Sequence, residues 1–298
     1  MPIFPKPPER LTNGSKADLN MPTLVFIFTN LPALDLPNGW LGWLGWVALL
    51  GVIFFLLRRW RTYNQPWNRK RMGLLLSLVF LMFLTTLLMP GIRLGTGELL
   101  PPSLVPRDIY APTVMPFAAL SWILAAGLLG PTPAAFLAAA AGFFLAFWDV
   151  HSAFLPLEMA FLAACTGAAM QQRYRTRFYR LARHPLFVAV LLALTYPALF
   201  VIDSLYLARG VLANRLDYAF TFVNASALSM GISFLVSALF AEIIAVILSK
   251  QWGSKSDLRP SPAESRLATR FLYGLTPLAL ALVFALMLGN WVDRKSVV

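Results

Sequence analysis

PFAALSWILAAGLLGPTPAAFLAAAAGFFLAFWDVHSAFLPLEMAFLAACTGAAMQQRYRTRFYRLARHP, residues 116–185, is the stretch on which the fold turns. It holds three apolar runs of about twenty residues, each long enough to cross a bilayer core of about 30 Å. The first connection is Gly130-Pro131-Thr132-Pro133, the second is Asp149-Val150-His151-Ser152, and a basic segment closes the unit. Crossings joined by so few residues must be antiparallel neighbours. Their faces carry Gly127, Gly130, Ala134, Ala135, Ala138 and Gly142 on one side and Ala160, Ala163, Ala164, Gly167 and Ala168 on the other. In lipid, small residues let helix backbones approach and gain packing. At the first turn, Thr132 is expected to cap the following helix, with Pro133 in its first turn.

Working outward, the whole chain has the same character. Of its 298 residues 58% are hydrophobic and 13% charged, with a mean hydropathy of +0.68. That composition excludes an ordinary soluble domain. The net charge of +12 does not point to nucleic acid. It is concentrated in short loops between apolar runs, as the positive-inside rule requires. The single cysteine, Cys165, lies inside an apolar run, where it has no partner for a disulfide or a metal site. No cofactor motif and no metal-ligand cluster is present in the sequence.

These features predict an all-α, polytopic membrane helix bundle of about eight crossings. Residues 1–37 read as an amino-terminal leader and interfacial segment, in which TLVFIFTNL is too short to span. Residues 38–291 read as the multi-pass domain and 292–298 as a non-native tail, because Asp293–Val298 matches one frame of a common sequencing adapter. The expected crossings begin near Trp40, Gly73, Thr113, Pro133, Ala153, Leu186, Tyr218 and Phe271. Trp40, Trp43 and Trp46 suit the headgroup level, and Pro197 should kink the sixth crossing. Arg58, Arg59, Arg61, Arg69, Lys70 and Arg71 share a loop with no acid, and a second loop carries Arg173, Arg175, Arg177, Arg180 and Arg183. A third runs from Lys250 to Arg270. All three should be cytoplasmic, which puts both chain ends outside an inner membrane. Asp203, Arg209, Arg215 and Asp217 are assigned to an outer segment of no net charge.

A charged group at membrane depth is costly and marks a functional site by default. Glu158, with Asp149 and His151 at the outer turn, is therefore the candidate for ligand or proton sensing. The bland alternative makes Asp149 and His151 wet capping residues, and leaves Glu158 protonated or hydrogen-bonded to a neighbour. Asn224, Ser233 and Glu242 are read as interhelical polar groups. Arg173, Arg175, Arg177 and Arg180, interleaved with aromatics, suit anionic lipid headgroups. No catalytic residues are assigned, and the chain itself is not read as an enzyme.

The combination LLGPTPAAFLAAAAGFFLAFWDVHSAFLPLE, QQRYRTRFYRLARHPL and PSPAESRLATRFLYGLTPLALALVFALMLGNW resembles the amino-terminal multi-pass membrane region of large bacterial sensor proteins of filamentous green bacteria and their relatives. The resemblance implies an extracytoplasmic sensory domain and cytoplasmic output modules, such as a sensor histidine kinase, in a longer parent. The expected function is thus a membrane sensor or anchoring module of a truncated signal-transduction protein. Membrane lipids are its expected partners, a homodimer stays open, and nucleic acid is excluded. A transporter or permease is the alternative, and a structural subunit of a membrane complex a third reading.

Overall fold

Residues whose neighbours are apolar in every direction can form helices only if something apolar surrounds them, and the computed structural model arranges them so. It describes residues 23–30, 32–93, 113–208, 210–249, 251–253, 259–260 and 275. The described residues fall into two compact units, one reaching Gln172 and resuming at Ala182–Gly253, the other formed by Arg173–Leu181 and residues beyond Gly253. In the first, β1 (Thr23–Val25) and a short 3-10 turn precede α1 (Gly39–Arg59) and α2 (Arg69–Phe83), which ends in a π-turn at Leu84–Leu88. β2 (Gly91–Arg93) and β3 (Thr113–Val114) follow, then α3 (Leu120–Leu128), α4 (Pro131–Leu145) with a second π-turn at Ala146–Val150, and α5 (Leu155–Gln171). α6 (Arg177–Leu181) belongs to the second unit, and α7 (Pro185–Leu207) and α8 (Leu212–Ile247) complete the first.

The burial pattern is that of a protein whose solvent is oil. Leu76, Phe80, Phe136, Leu228, Leu239, Ile243 and Ile247 are exposed, while Thr86, Ser121, Glu158, Thr166, Ser204 and Ser237 are buried. In water this arrangement would leave large apolar patches uncovered. Among the described residues, five helical spans are long and apolar enough to cross a membrane: Gly39–Arg59, Arg69–Leu88, Pro131–Val150, Pro185–Leu207 and Leu212–Ile247. The protein is a membrane-embedded helix bundle. α5, with 17 residues, is slightly shorter, and α3, with nine, is buried along its whole length. The expected third crossing is therefore a broken one: an extended entry at residues 113–116, then a half-length helix. The 36-residue α8 rises about 54 Å at 1.5 Å per residue, well beyond a bilayer core. The predicted eighth crossing and the residues 292–298 lie outside the described residues.

Close approach of α4 and α5 sets the centre of the bundle. An alanine Cβ at Gly167 would sit 2.5 Å from Pro131 Cα, and one at Gly142 2.9 Å from Pro156 Cα, so contact is made at both ends of the pair. Ala134, Ala138, Ala163 and Ala164 fill the middle and are fully buried. α1 lies over this pair through Ile53, packed with Ala135, Leu157, Ala160 and Ala164.

At one end of the unit, the loop after α1 supplies the α4 cap that was expected from Thr132. Asn64 Oδ1 accepts from the Thr132 backbone N–H at 3.0 Å, and Asn64 Nδ2 donates to Thr132 Oγ1 at 2.7 Å. Gly130, at φ 111°, makes the turn, and Pro131 opens the helix. Thr132 is thus the capped residue, because the chain reverses too tightly for its own side chain to cap. Gln171 Nε2 donates to the carbonyls of Ala126 and Gly127, closing the end of α3. Gln65 joins this network, bonding Gln171 and the Leu129 carbonyl.

The opposite end is not all-α. β1, β2 and β3 form an antiparallel sheet with Thr23 opposite Arg93 and Ile92 opposite Val114. The short apolar patch after Met21 is therefore partly an edge strand. Residues 32–38 then strap across the α4–α5 connection: Ala33 N–H donates to Phe147 O, Asp35 N–H to His151 O at 2.7 Å, and Ala153 N–H to Asp35 O. Trp46 Nε1 donates to Ala153 O at 3.0 Å, so that ring faces the protein, while Trp40 and Trp43 are exposed.

These contacts make a contrast in glycine substitutions. Gly167→Ala should destabilise the protein by about 1–3 kcal/mol through overpacking against Pro131. Gly51→Ala, with open space at its Cβ, should be neutral or gain about 0.5–1 kcal/mol. Thermal melting in detergent checks both, and equal effects would contradict the α4–α5 contact.

Candidate functional site

The break before α3 creates the site. A buried backbone that is not helical must find hydrogen-bond partners inside the protein, and here α8 provides them at i, i+4 and i+8. Ser229 Oγ donates to Thr113 O at 2.6 Å, Met115 N–H donates to Ser233 Oγ at 3.0 Å, and Ser237 Oγ donates to Pro116 O at 2.8 Å. Ser233 also donates to its own helix at Ser229 O, 2.9 Å. The spacing places all three hydroxyls on one face of α8. Ser233, expected as an interhelical group, thus ties α8 to the non-helical backbone at Met115.

Because the extended entry cannot fill the space a helix would, a cavity of about 60 Å³ lies beside it. Its walls include Met115, Trp122, Gly142, Asp149, Tyr196 and Phe234. Its composition is that of a ligand site, mostly apolar with a few convergent polar groups. Asp149 sits on the π-turn that ends α4, a distortion common at functional sites. Thr113 Oγ1 donates to Asp149 Oδ1 at 2.8 Å, so one threonine ties α4 to the broken segment and, through its carbonyl, to α8.

Asp149 and His151 are buried, at 8% and 3% exposure, so neither is the wet turn residue of the bland reading. His151 adopts a left-handed φ of 60°, and its Nδ1 lies 3.1 Å from the Ala33 carbonyl. A carbonyl only accepts, so that nitrogen carries the proton. The strap, rather than a ligand, therefore holds His151.

Glu158 lies apart from Asp149. It occupies the first turn of α5, where a helix N-terminus favours a carboxyl group. Its partner is Asp203, which the sequence reading assigned to an outer segment. That assignment is corrected: Asp203 lies inside α7 and is buried, because LFVIDSLYL continues the helix to Leu207. The two carboxyl groups are within hydrogen-bonding reach of each other. Ser152 Oγ and Ser204 Oγ each donate to Asp203 at 3.4 Å. A second cavity, of about 20 Å³, is lined by this group together with Tyr196, Phe200 and Tyr218. The signal for Asp203 was present: a carboxylate embedded in an apolar run must be buried or paired.

The remaining expectations divide. Glu242 is interhelical, with its Oε1 2.7 Å from His184 Nδ1 and its Oε2 accepting from the Leu186 N–H at 3.3 Å, so it anchors the start of α7 to α8. Asn224 is exposed on α8, and the interhelical role expected of it is not what its position serves. In the second unit, Arg259 N–H donates to Arg173 O and Arg175 N–H to Arg259 O, forming a parallel bridge at Tyr174. Arg175, Arg177 and Arg180 are exposed there and Arg173 is partly buried, a disposition compatible with headgroup contact. Among the described residues no group of three or more His, Cys, Asp or Glu could hold a metal ion. Comparison with family models, curated proteins and solved structures finds no match.

The serine contacts predict that Ser233→Ala strands the Met115 N–H and costs about 1–3 kcal/mol. Ser226→Ala, at a cavity-lining serine about two turns away, should cost less than about 0.5 kcal/mol. Denaturant titration of the two variants measures the difference, and similar losses would show that the broken segment does not depend on α8.

Proposed function

We propose that the chain is a ligand-sensing module embedded in a bacterial inner membrane, part of a longer signal-transduction protein. In this reading eight segments cross: the five long spans, α5, the broken 113–129 segment, and the apolar run from residue 271 to 290. The end carrying the α1–α2 loop, with six basic residues in it and in the helix ends beside it, is cytoplasmic. Both chain ends are then extracytoplasmic, with output modules beyond residue 291 in the parent.

The observation that carries the reading is the cavity beside the broken segment. It lies toward the end of the unit that holds the strap and the sheet. Toward the other end, Ala125, Ala126, Ala138, Ala163 and Ala164 are fully buried. Sensing needs no passage through the protein, since a ligand that binds two conformations differently shifts their balance without crossing. Transport is the second reading, favoured by the broken helix itself, because many transporters place substrate at interrupted helices.

Cysteine accessibility separates the two. With Cys165 replaced by Ala, an impermeant thiol reagent should label Ser226→Cys from the extracytoplasmic face only. Asn214→Cys should be labelled from the same face, and Thr62→Cys only from the other. Labelling of Ser226→Cys from both faces would replace sensing by alternating access. Labelling of Thr62→Cys in intact cells would reverse the topology.

A further inference from the structure

The smaller cavity contains a charge problem that the described residues do not solve. Glu158 (2% exposed) and Asp203 (7%) face each other in the interior, on α5 and α7. Two carboxylates cannot both ionise there without a counter-charge. The groups around them are Ser152 on the α4–α5 connection, Ser204 and Tyr196 on α7, and Tyr218 on α8. None of the residues lining the cavity is Lys, Arg or His. The neighbouring His151 is turned to the Ala33 carbonyl. The close approach of the two carboxyl groups requires at least one shared proton, which leaves no more than one negative charge.

A second observation shows that the pair is unfinished. Glu158 Oε1 is buried, belongs to a residue that lines the cavity, and has no hydrogen-bond partner. A buried oxygen of this kind costs about 1–3 kcal/mol when unsatisfied, and native interiors rarely retain one without a role or a bound species. Around it the donor set is entirely oxygen: two carboxyl groups and the hydroxyls of Ser152 and Ser204. Oxygen-only sets select hard cations over soft ones.

We propose that Glu158, Asp203, Ser152 and Ser204 form a binding site for a small hard monovalent cation of the Na⁺ class, in competition with protons. One net negative charge matches one monovalent ion. The cation would take the vacant Glu158 oxygen, and the serine hydroxyls would turn their lone pairs inward. A carboxyl oxygen that carries a proton cannot also ligate a cation, so acid opposes binding. Because the pair lies between α5 and α7, occupancy would tie those helices together beside Tyr196 and Phe200, which also wall the larger cavity. The site stands independently of the sensing role.

The test uses the purified full chain in detergent, with choline chloride replacing NaCl at constant ionic strength. At pH 8, raising Na⁺ to saturation should lift the melting temperature by about 3 °C or more. At pH 5.5 the same Na⁺ should give a clearly smaller shift. The double variant Glu158→Gln/Asp203→Asn, which removes the remaining charge of the pair, should melt near the wild type in choline and lose the Na⁺ response. Ser204→Ala, a milder change, should need several-fold more Na⁺ for half of the effect and serves if the double variant fails to fold. No Na⁺-dependent shift at pH 8, a response only to pH, or an undiminished response in the double variant would each overturn the site. A larger stabilisation by micromolar Ca²⁺ or Mg²⁺ than by Na⁺ would overturn the monovalent assignment.

Discussion

The serine face of α8 is the interaction on which this structure depends. A buried backbone outside a helix must bring its amide and carbonyl groups to partners within the protein. Residues 113–116 do so, and Ser229, Ser233 and Ser237 meet them one helical turn apart. Sheet pairing of β3 with β2 satisfies part of the remainder. With those bonds made, the chain can enter the bundle extended and begin α3 only at Leu120. The larger cavity is the geometric consequence, since an extended chain occupies less cross-section than a helix.

The two ends of the first unit follow opposite packing logic. Toward the α1–α2 loop, small residues bring α3, α4 and α5 into backbone contact, and Asn64, Gln65 and Gln171 satisfy the helix termini with little room left over. Dispersion packing of this kind is what holds helices together in lipid. Toward the strap, the buried polar groups accumulate: Asp149, His151, Ser152, Glu158 and Asp203. Both π-turns are at this end as well, with Phe83 and Phe144, beside them, 5.3 Å apart. A rigid base and a polar, distorted top are a suitable division for a protein that must bind something without losing its fold.

The two acidic sites differ in how completely they are satisfied. Asp149 has a threonine hydroxyl at 2.8 Å and feels the charge of Arg93, whose NH2 group donates to Asn30 at 3.0 Å. Its role is largely structural, holding the broken segment against α4 while one edge faces the cavity. Among the described residues, Glu158 and Asp203 are met by each other and by two long serine contacts, and Glu158 Oε1 has no hydrogen-bond partner. Satisfaction favours a fixed structure, and incomplete satisfaction leaves chemistry to be done.

Composition and periodicity alone determined that this chain is a membrane helix bundle, because a bilayer demands long apolar segments and that demand is written in every run. α1, α2, α4 and α7 were legible with nearly correct ends for that reason. So was the close pairing of α4 and α5, since a four-residue turn and small residues allow little else. The break before α3 was not legible: PFAALSWILAAGLL is as apolar as a full crossing, and what unwinds its approach is a set of serines over a hundred residues later. Asp203 was misplaced because hydropathy cannot tell a residue near a helix end from one turned into the core. Its pairing with Glu158 arises only when α5 and α7 come side by side. Thr132 and Asn224 were misjudged for the same reason, since which polar atom meets which depends on the three-dimensional approach of distant segments. The sequence carries the solvent in which the helices live, and the tertiary structure alone decides which of their few polar groups meet.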